Sequence, residues 1–283
     1  MAPSGTVGVV GAGTMGAGIA QTFATAGYDV TLVDVAEPQL ARGLKAIESS
    51  LAKLDEKKKL PGAPSEILSR IATATDVGAL GHAGIVIEAA FEDPKVKADL
   101  FAKLDQVTPK DVILASNTSS ISIDSLASRT GRPDRVAGMH FMNPVPIMTL
   151  VEVVRGPRTS DKTMNAILEL AKKLGKTPVI SADRPGFIAN RVLMPMINEA
   201  FFALEEGVGS ATDIDLVMTL GMSHPIGPLR LADLIGLDVV LAILEVLERD
   251  LADRKYAPAP IIRKYVAAGH LGRKTGRGVY AYT

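Results

Sequence analysis

The chain has 283 residues, of which 47% are hydrophobic and 22% charged, and its 31 basic side chains balance 31 acidic ones. This composition is typical of a folded globular protein, and the length favours two domains. The balanced charge supplies no global field that would recruit nucleic acid or an anionic membrane. The lack of cysteine excludes disulfides, thiolate zinc sites and a cysteine nucleophile.

Two further features bear on where the protein works. The first residues lack a basic segment and lead directly into an apolar run, so we expect no leader and predict a cytoplasmic protein. The most apolar late stretch, residues 235–247, contains Asp238 and Glu245 and is too short to span a bilayer. It is therefore predicted to be a buried helix, and no membrane association is expected.

The first 33 residues carry the patterns of a strand, a helix and a second strand. Residues 6–10 form a short apolar run, residues 14–26 an alanine-rich helical stretch ending at Gly27, and residues 29–33 a β-branched run. A strand, a helix and a strand within about 30 residues form a βαβ unit, which predicts a parallel sheet with the helix on one face.

Further strand patterns alternate with helical ones up to residue 181. The predicted strands are 85–87, 112–115, 136–139, 151–154 and 178–180. Residues 38–59 interrupt this alternation with a long helical stretch that is rich in lysine towards its end. We interpret this stretch as a helix that projects from the sheet.

After Ser181 the strand patterns stop, and helical spacing is found in residues 190–206, 212–220, 237–251 and 260–268. The sequence from Asp183 to Gly186 contains a Pro-Gly pair that breaks both regular structures and predicts a hinge. The predicted fold is therefore α/β. A Rossmann-type, mostly parallel sheet with a projecting helix occupies residues 1–184, and an all-helical domain occupies residues 185–283.

A glycine-rich turn follows the first predicted strand. Gly11, Gly13 and Gly16 have the G-x-G-x-x-G spacing in which successive glycines allow a tight turn, backbone approach to a pyrophosphate, and close packing of helix on strand. The following helix presents its N–H groups and its positive dipole end to the phosphates. We therefore predict dinucleotide contacts at Gly11, Gly13, Thr14, Met15 and Gly16.

Asp34 ends the second predicted strand, 18 residues after Gly16, where a carboxylate can accept hydrogen bonds from ribose hydroxyls. A 2′-phosphate would be repelled there, and Val35 and Ala36 supply no compensating arginine. NAD is therefore favoured over NADP, with FAD as a minor alternative.

Five segments together resemble the 3-hydroxyacyl-CoA dehydrogenase family. They are residues 115–120 (ASNTSS), 140–146 (HFMNPVP), 150–154 (LVEVV), 184–191 (RPGFIANR) and 272–282 (GRKTGRGVYAY). The resemblance covers essentially the whole chain in family order. The length is similar to that of the bacterial 3-hydroxybutyryl-CoA dehydrogenases of this family. The resemblance implies hydride transfer between NAD and a short-chain (S)-3-hydroxyacyl-CoA, which is oxidised to the 3-ketoacyl-CoA.

The resemblance also implies catalytic roles for four residues. His140 matches the catalytic base, and such a base needs a pKa near neutrality. Glu152 matches the acid that orients it; a lone glutamate in an apolar run would otherwise lie exposed on an edge strand, and a buried one needs a partner. Ser119 and Asn190 match donors around the C3 oxygen and the thioester. Their alternatives are a loop serine bonded to its own backbone and a helix N-cap.

Further contacts are implied by the same matches. Cofactor contacts are implied for Glu92, Lys97, Asn143 and Lys274, and coenzyme A contacts for Ser50 and Lys57. Glu92 and Lys97 could equally be solvated charges near a helix start, Lys274 a basic residue of a mobile loop, and Lys57 part of a solvated charge run. No metal site is predicted. The family further implies an acyl-CoA substrate and a homodimer formed by the helical domain, with residues 197–204 and 237–247 as candidate faces.

Two other functions remain open. The first is a β-hydroxyacid dehydrogenase, which has the same layout but typically uses a lysine on the helix after the hinge; here that helix begins with Asn190 and Arg191 and has no lysine before Lys255. The second is an NAD-binding sensor without catalysis. A sensor has no physical need for a base and its orienting acid, so the enzyme is favoured.

Overall fold

The computed structural model describes residues 6–282, and the chain divides into two compact units after Arg184. The N-terminal unit contains one eight-stranded sheet with strand order β3-β2-β1-β4-β5-β6-β7-β8. Its strands are β1 (Thr6–Val10), β2 (Val30–Val33), β3 (Ile71–Ala74), β4 (Ala83–Glu88), β5 (Ile113–Ser116), β6 (Val136–Phe141), β7 (Leu150–Arg155) and β8 (Thr177–Ala182).

Every neighbouring pair of strands is parallel except β6 and β7, which are antiparallel. The first six positions have the order 3-2-1-4-5-6 of dinucleotide-binding folds, in which ligands lie outside the carboxyl ends of the strands. β1, β4, β5 and β6 are almost entirely buried, as expected for central strands covered on both faces. Polar residues at their carboxyl ends are therefore candidates for a site.

The helices of this unit are α1 (Thr14–Thr25), α2 (Glu37–Glu56), α3 (Pro64–Leu68), α4 (Pro94–Val107), α5 (Ile123–Ala127) and α6 (Asp161–Lys173). The helix predicted to project from the sheet is α2, which is 20 residues long and packs against α1. Its buried side carries Leu40, Gly43, Ile47 and Leu51. A Cβ on Gly43 would lie 2.9 Å from the carbonyl oxygen of Ala12, so this glycine lets α2 approach the nucleotide turn.

The C-terminal unit is helical. It contains α7 (Ala189–Glu205), α8 (Ala211–Leu216) with a π-helical turn at Val217–Gly221, α9 (Pro228–Ile235), α10 (Leu237–Leu251) and α11 (Pro260–Ala267). Two buried aspartates join its parts. Asp215 accepts hydrogen bonds from the backbone N–H groups of Leu229 and Arg230 at the start of α9, and Asp233 accepts them from Val279 and Tyr280.

The α/β class, the mostly parallel sheet and the helical C-terminal part are confirmed. The sequence patterns missed β3 and α9. β3 has the sequence IATA and lies half-exposed at one edge of the sheet, so it shows neither a buried apolar run nor a clear alternation. α9 begins at Pro228 and is eight residues long, which gives little room for helical periodicity. Within residues 6–282, no helix is both long and apolar enough to cross a membrane.

Candidate active site

The glycine turn between β1 and α1 is held by contacts that leave no room for side chains at two positions. Gly11 has a φ of +102°, and a Cβ there would lie 2.4 Å from the carbonyl oxygen of Ala89. A Cβ on Gly16 would lie 1.7 Å from the carbonyl oxygen of Gly11. At Gly13, in contrast, the nearest atom is 4.0 Å away, at Gln39 Nε2. Gly11 and Gly16 therefore shape the turn, whereas Gly13 borders open space.

The N-terminus of α1 differs from those of α4 and α6. Asp93 caps α4 by accepting a hydrogen bond from Val96 N at 2.8 Å, and Ser160 caps α6. No side chain caps α1, whose N-cap is Gly13. The uncapped N–H groups of the first turn and the open space at Gly13 fit a pyrophosphate group, which needs both.

Asp34 follows β2 beside this turn. Its Oδ2 accepts a hydrogen bond from Ala12 N at 2.8 Å, and its Oδ1 accepts one from Ala36 N at 3.1 Å. These bonds hold a partly exposed carboxylate beside the glycine turn. The remaining lone pairs can accept hydrogen bonds from ribose hydroxyls.

His140 and Glu152 face each other across the antiparallel pair of β6 and β7. They are direct partners in the strand register, so their side chains lie on the same face of the sheet. His140 Nδ1 lies 2.8 Å from Glu152 Oε2, and the two residues are 7% and 1% exposed. Because β7 is flanked by β6 and β8, the alternative of an exposed glutamate on an edge strand is wrong.

Ser119 lies on the other side of the imidazole. Its Oγ is 3.0 Å from His140 Nε2. The loop that carries Ser119 follows β5 and is tied to β6, because Asn117 Oδ1 accepts a hydrogen bond from Phe141 N at 2.8 Å. The structure thus brings Ser119, His140 and Glu152 into one hydrogen-bonded chain.

Glu92 and Lys97 lie beneath the same loop. Lys97 is 1% exposed, and its Nζ lies 2.5 Å from Glu88 Oε1 and 3.1 Å from Glu92 Oε2. Burial disfavours ionised Glu92, but the nearby charge of Lys97 and the hydrogen bonds from Lys97, Thr118 and Ser119 outweigh it and hold the pKa of Glu92 below its usual value. The alternative of a solvated charge is therefore wrong for Lys97.

Two cavities of the N-terminal unit run beside α1 and α2. The first, of about 360 Å³, is lined by Gly13, Gly18, Ser50 and Asn143 among others. The second, of about 500 Å³, shares Gln21 and Pro146 with the first. Four lysines line the second cavity, and none of the described residues lining it is acidic: Lys57, Lys59, Lys173 and Lys176. Lys176 is held inside by hydrogen bonds to Val145 O and Met148 O, and burial lowers its pKa.

Comparison with known proteins identifies the family. The sequence profile described as "3-hydroxyacyl-CoA dehydrogenase, NAD binding domain" matches residues 6–184, and the one described as "3-hydroxyacyl-CoA dehydrogenase, C-terminal domain" matches residues 186–282. The chain belongs to the 3-hydroxyacyl-CoA dehydrogenase family. It is accordingly an enzyme with an NAD-binding domain.

Individual members of the family are similar over almost their whole length. A probable 3-hydroxybutyryl-CoA dehydrogenase of Deinococcus radiodurans is 54% identical, with 97% of this chain and 99% of that relative covered. The crystal structure of (S)-3-hydroxybutyryl-CoA dehydrogenase PaaH1 from Ralstonia eutropha has a TM-score of 0.94 and 52% identity, covering 98% and 99%. That of M. tuberculosis FadB2 has a TM-score of 0.97 and 41% identity, covering all of both chains.

Two of the predicted site residues belong to the C-terminal unit of this family member. Asn190 is the second residue of α7 and is 8% exposed; the N-cap is Ile188, so the alternative of Asn190 as the helix N-cap is wrong. Lys274 is exposed and lies 2.6 Å from Asp238 Oδ1 within the same unit. Lys274 therefore has an ion-pair partner within the C-terminal unit.

Sequence reasoning missed two polar residues beside the site. Glu88 and Ser116 end β4 and β5, and both are fully buried. Glu88 is a lone glutamate in an apolar run, which is the signal that pointed to Glu152. Among the described residues, no group of three or more histidine or acidic side chains could hold a metal ion.

The glycine turn yields a paired prediction. Gly16→Ala must displace the Gly11 carbonyl and is expected to cost about 3 kcal/mol of stability, as overpacking does. Gly13→Ala adds a methyl in open space at an N-cap and should cost about 1 kcal/mol or less. That methyl would nevertheless obstruct the approach of a pyrophosphate.

Thermal unfolding and NADH titration of the two variants check this prediction. Gly13→Ala should unfold near the wild-type temperature and bind NADH at least about tenfold more weakly, because the backbone approach is lost. Wild-type NADH affinity in folded Gly13→Ala would contradict the assignment of this turn.

Proposed function

We propose that this enzyme interconverts short-chain (S)-3-hydroxyacyl-CoA, best represented by 3-hydroxybutyryl-CoA, and the 3-ketoacyl-CoA with NAD as cofactor. The observation that carries the proposal is the chain of Ser119, His140 and Glu152 at the carboxyl end of β6. The substrate class is further supported by the names of relatives that are more than half identical to this chain. NAD, when bound, supplies the hydride acceptor at C3.

His140 is placed to move the hydroxyl proton. When Nδ1–H donates to Glu152, Nε2 carries a lone pair and acts as an acceptor. Nε2 is on the side of the ring facing Ser119, where a substrate hydroxyl at C3 could replace or join the serine contact. Nε2 would then take the proton during oxidation and return it during reduction.

Glu152 keeps the imidazole in the required state. Its carboxylate selects the Nδ1–H tautomer and compensates the positive charge that the ring gains with the proton. The charge pair forms in a buried position, where water screens it little. Ser119 Oγ is positioned to donate to the C3 oxygen, and we assign Asn190 a second donor role towards the thioester end.

The same three side chains have the connectivity of a nucleophilic Ser-His-Glu triad, so thioester hydrolysis is a second candidate. A hydrolase needs N–H donors for the oxyanion next to its nucleophile. Here the backbone N–H of Ser119 donates to the Glu92 carboxylate at 3.0 Å. Because an anion occupies the place that an oxyanion hole requires, the geometry favours the dehydrogenase.

We propose that the enzyme prefers NAD over NADP because of the charge of Asp34. Its carboxylate lies where the adenosine ribose hydroxyls are expected, and a 2′-phosphate would meet a like charge. α2 offers Arg42, which however is engaged with Gln39 Oε1. We further propose that Thr14, Met15 and Asn143 contact the cofactor.

Coenzyme A is proposed to lie along the two joined cavities. The first is bordered by small residues of α1 and α2, Ala17, Gly18 and Gly43, and suits the thin pantetheine arm. The second is lined by four lysine side chains, and their positive charge suits the nucleotide phosphates. Ser50 and Lys57 then contact successive parts of one extended ligand.

We propose that the two units have different functions. Residues 1–184 bind NAD, whereas residues 185–283 contribute to substrate binding and form the homodimer contact. The two stretches proposed from sequence as interface faces instead supply the core of the C-terminal unit, where Ile197, Phe201 and Leu244 are fully buried. Apolar side chains exposed on that unit include Leu216, Val217, Leu220 and Met222. We assign the dimer contact to this patch, and a monomeric mass in solution would exclude it.

The catalytic assignment is tested by NADH oxidation with acetoacetyl-CoA. Wild-type protein should turn over, and His140→Ala should lose about 10²- to 10⁴-fold in kcat because proton transfer is lost. Glu152→Gln keeps the shape but favours the wrong tautomer, and it should lose a comparable factor. NADPH should support at least about tenfold less activity, since Asp34 repels the 2′-phosphate.

His82 provides the matched control, because it lies outside the contacts described for the site. His82→Ala should retain the wild-type kcat. Equal rates for His140→Ala and wild type would refute the base. Release of free thiol without NADH oxidation would favour the hydrolase, and falling rates from long to short acyl chains would overturn the proposed chain length.

The coenzyme A path is tested by pairing a variant with a truncated substrate. Lys173→Gln should raise the KM for acetoacetyl-CoA several-fold, and the effect should vanish with acetoacetyl-pantetheine, which lacks the phosphates. Lys172→Gln serves as control, because Lys172 pairs with Glu169 at 2.8 Å and does not line the cavity. An equal effect of Lys173→Gln on both substrates would place the nucleotide elsewhere.

A further inference from the structure

The second cavity contains a buried lysine without an acidic partner. Lys176 directly precedes β8 and is 8% exposed, and its Nζ donates hydrogen bonds to Val145 O at 2.6 Å and to Met148 O at 2.7 Å. An ammonium group has three donors, so one donor remains. Burial lowers the pKa of Lys176, and no acidic side chain among residues 6–282 offsets this effect. A buried cation of this kind is costly unless an anion compensates its charge.

A second polar group that lines this cavity also lacks a partner. Gln21 of α1 is 2% exposed, and its buried Nε2 has no hydrogen-bond partner among the described residues. Gln39, which lines the first cavity, shows the usual arrangement, because its Nε2 donates to Ala12 O at 3.2 Å. An unpaired buried donor costs free energy, so Gln21 indicates an acceptor that the polypeptide does not supply.

The turn that follows β6 brings these two groups together. Val145 of this turn packs against α1 at Gly18, where an added Cβ would lie 2.9 Å from the Cβ of Val145. Gln21 is three residues after Gly18 and therefore lies on the same face of α1. Lys176 donates to the carbonyl oxygen of the same Val145. Gln21 and Lys176 thus both lie near Val145, and both line the second cavity.

The chemistry of the cavity wall selects an anion. Lys57, Lys59 and Lys173 line the second cavity together with Lys176, and none of the described residues lining it is acidic. A phosphate group matches such a wall, because its oxygens accept hydrogen bonds from ammonium and amide donors and carry the opposite charge. The cavity volume of about 500 Å³ is typical of sites for small organic molecules, so we expect the phosphate to belong to a larger ligand.

We propose that Lys176 and Gln21 form a phosphate subsite for coenzyme A in the second cavity. The remaining donor of the Lys176 ammonium pairs with one phosphate oxygen. Gln21 Nε2 donates to another oxygen after a rotation of its terminal amide, which is a soft torsion. The proposal rests on the coenzyme A path proposed above and adds to it the two buried side chains that hold the phosphate.

The subsite is tested by titration calorimetry with coenzyme A and with pantetheine, which lacks the phosphates. Gln21→Met removes the donor but keeps an unbranched side chain. It should weaken binding of coenzyme A about tenfold, because a hydrogen bond to a charged group is lost, and change the affinity for pantetheine less than about twofold. Unchanged affinity of Gln21→Met for coenzyme A, or an equal loss with pantetheine, would overturn the proposal.

Gln106 provides the matched control. It is exposed on α4 and lines neither of the two cavities. Gln106→Met therefore makes the same chemical change away from the subsite and should leave the affinity for coenzyme A unchanged. A tenfold loss in Gln106→Met as well would show that the effect does not come from the second cavity and would overturn the proposal.

Dephospho-coenzyme A, which lacks the 3′-phosphate, identifies the group that is bound. If Gln21→Met loses the same factor with this ligand as with coenzyme A, the pyrophosphate occupies the subsite. If the loss disappears, the 3′-phosphate occupies it, and either result supports the proposal. Wild-type protein that shows this binding pattern but does not oxidise NADH with acetoacetyl-CoA would refute the dehydrogenase function alone. Wild-type protein that binds no coenzyme A would overturn both proposals.

Thermal unfolding tests whether Gln21 has a structural role instead. Gln21→Met should unfold at or above the wild-type temperature, because no hydrogen bond within the protein is lost. Asn198 is the contrasting buried amide, since it donates to Ala257 O at 2.9 Å and accepts from Ala259 N at 2.9 Å. Asn198→Leu should lower the unfolding temperature by several degrees. A comparable decrease in Gln21→Met would reveal a partner within the protein and overturn the proposal.

The role of Lys176 is measured as stabilisation by the ligand. Lys176→Met also removes the donor of two backbone carbonyls, so its unfolding temperature without ligand should decrease. Coenzyme A should raise the unfolding temperature of wild-type protein, and in Lys176→Met the rise above its own ligand-free value should be less than about half as large. An equal rise would overturn the proposal. If Lys176→Met does not fold, the calorimetry of Gln21→Met decides the question.

Discussion

The contact between His140 Nδ1 and Glu152 Oε2 is the interaction on which the proposed chemistry depends. It arises from one topological feature, the antiparallel placement of β7 against β6 in an otherwise parallel sheet. This pairing puts two polar residues of buried strands on one face of the sheet, and each provides the hydrogen-bond partner that the other needs. Burial of an unpaired carboxylate would be costly, and His140 supplies the partner that the Glu152 carboxylate needs.

In the proposed function, the rest of the N-terminal unit places the ligands around that pair. The glycine turn after β1 leaves the start of α1 uncapped, and Asp34 follows β2 beside it. Ser116 at the end of β5 donates a hydrogen bond to Glu88 at the end of β4, and Glu88 also pairs with Lys97 of α4. Because the carboxyl ends of parallel strands lie at the same edge, residues far apart in sequence share one site.

Much of the fold and part of the site could be predicted from sequence, for physical reasons that differ between residues. The strand that ends at Val10 and the helix that begins at Thr14 are signalled by local patterns, and the structure confirms both. β3 has no such pattern and was missed. Glu152 stood out as a charge in an apolar run, and Glu88 gives the same signal but was not recognised. The burial of Lys97 could not be predicted, since it depends on where α4 packs and on a carboxylate from another strand. The roles of the site residues are proposals.

The pairing of His140 with Glu152 is tested by ¹⁵N NMR of histidine-labelled protein, in which the His140 signals are assigned by comparison with His140→Ala. We expect the ring proton of His140 on Nδ1, donated to Glu152, and a marked change in the signals of both ring nitrogens in Glu152→Gln. A His140 ring with its proton on Nε2, or nitrogen signals that are the same in Glu152→Gln, would contradict it.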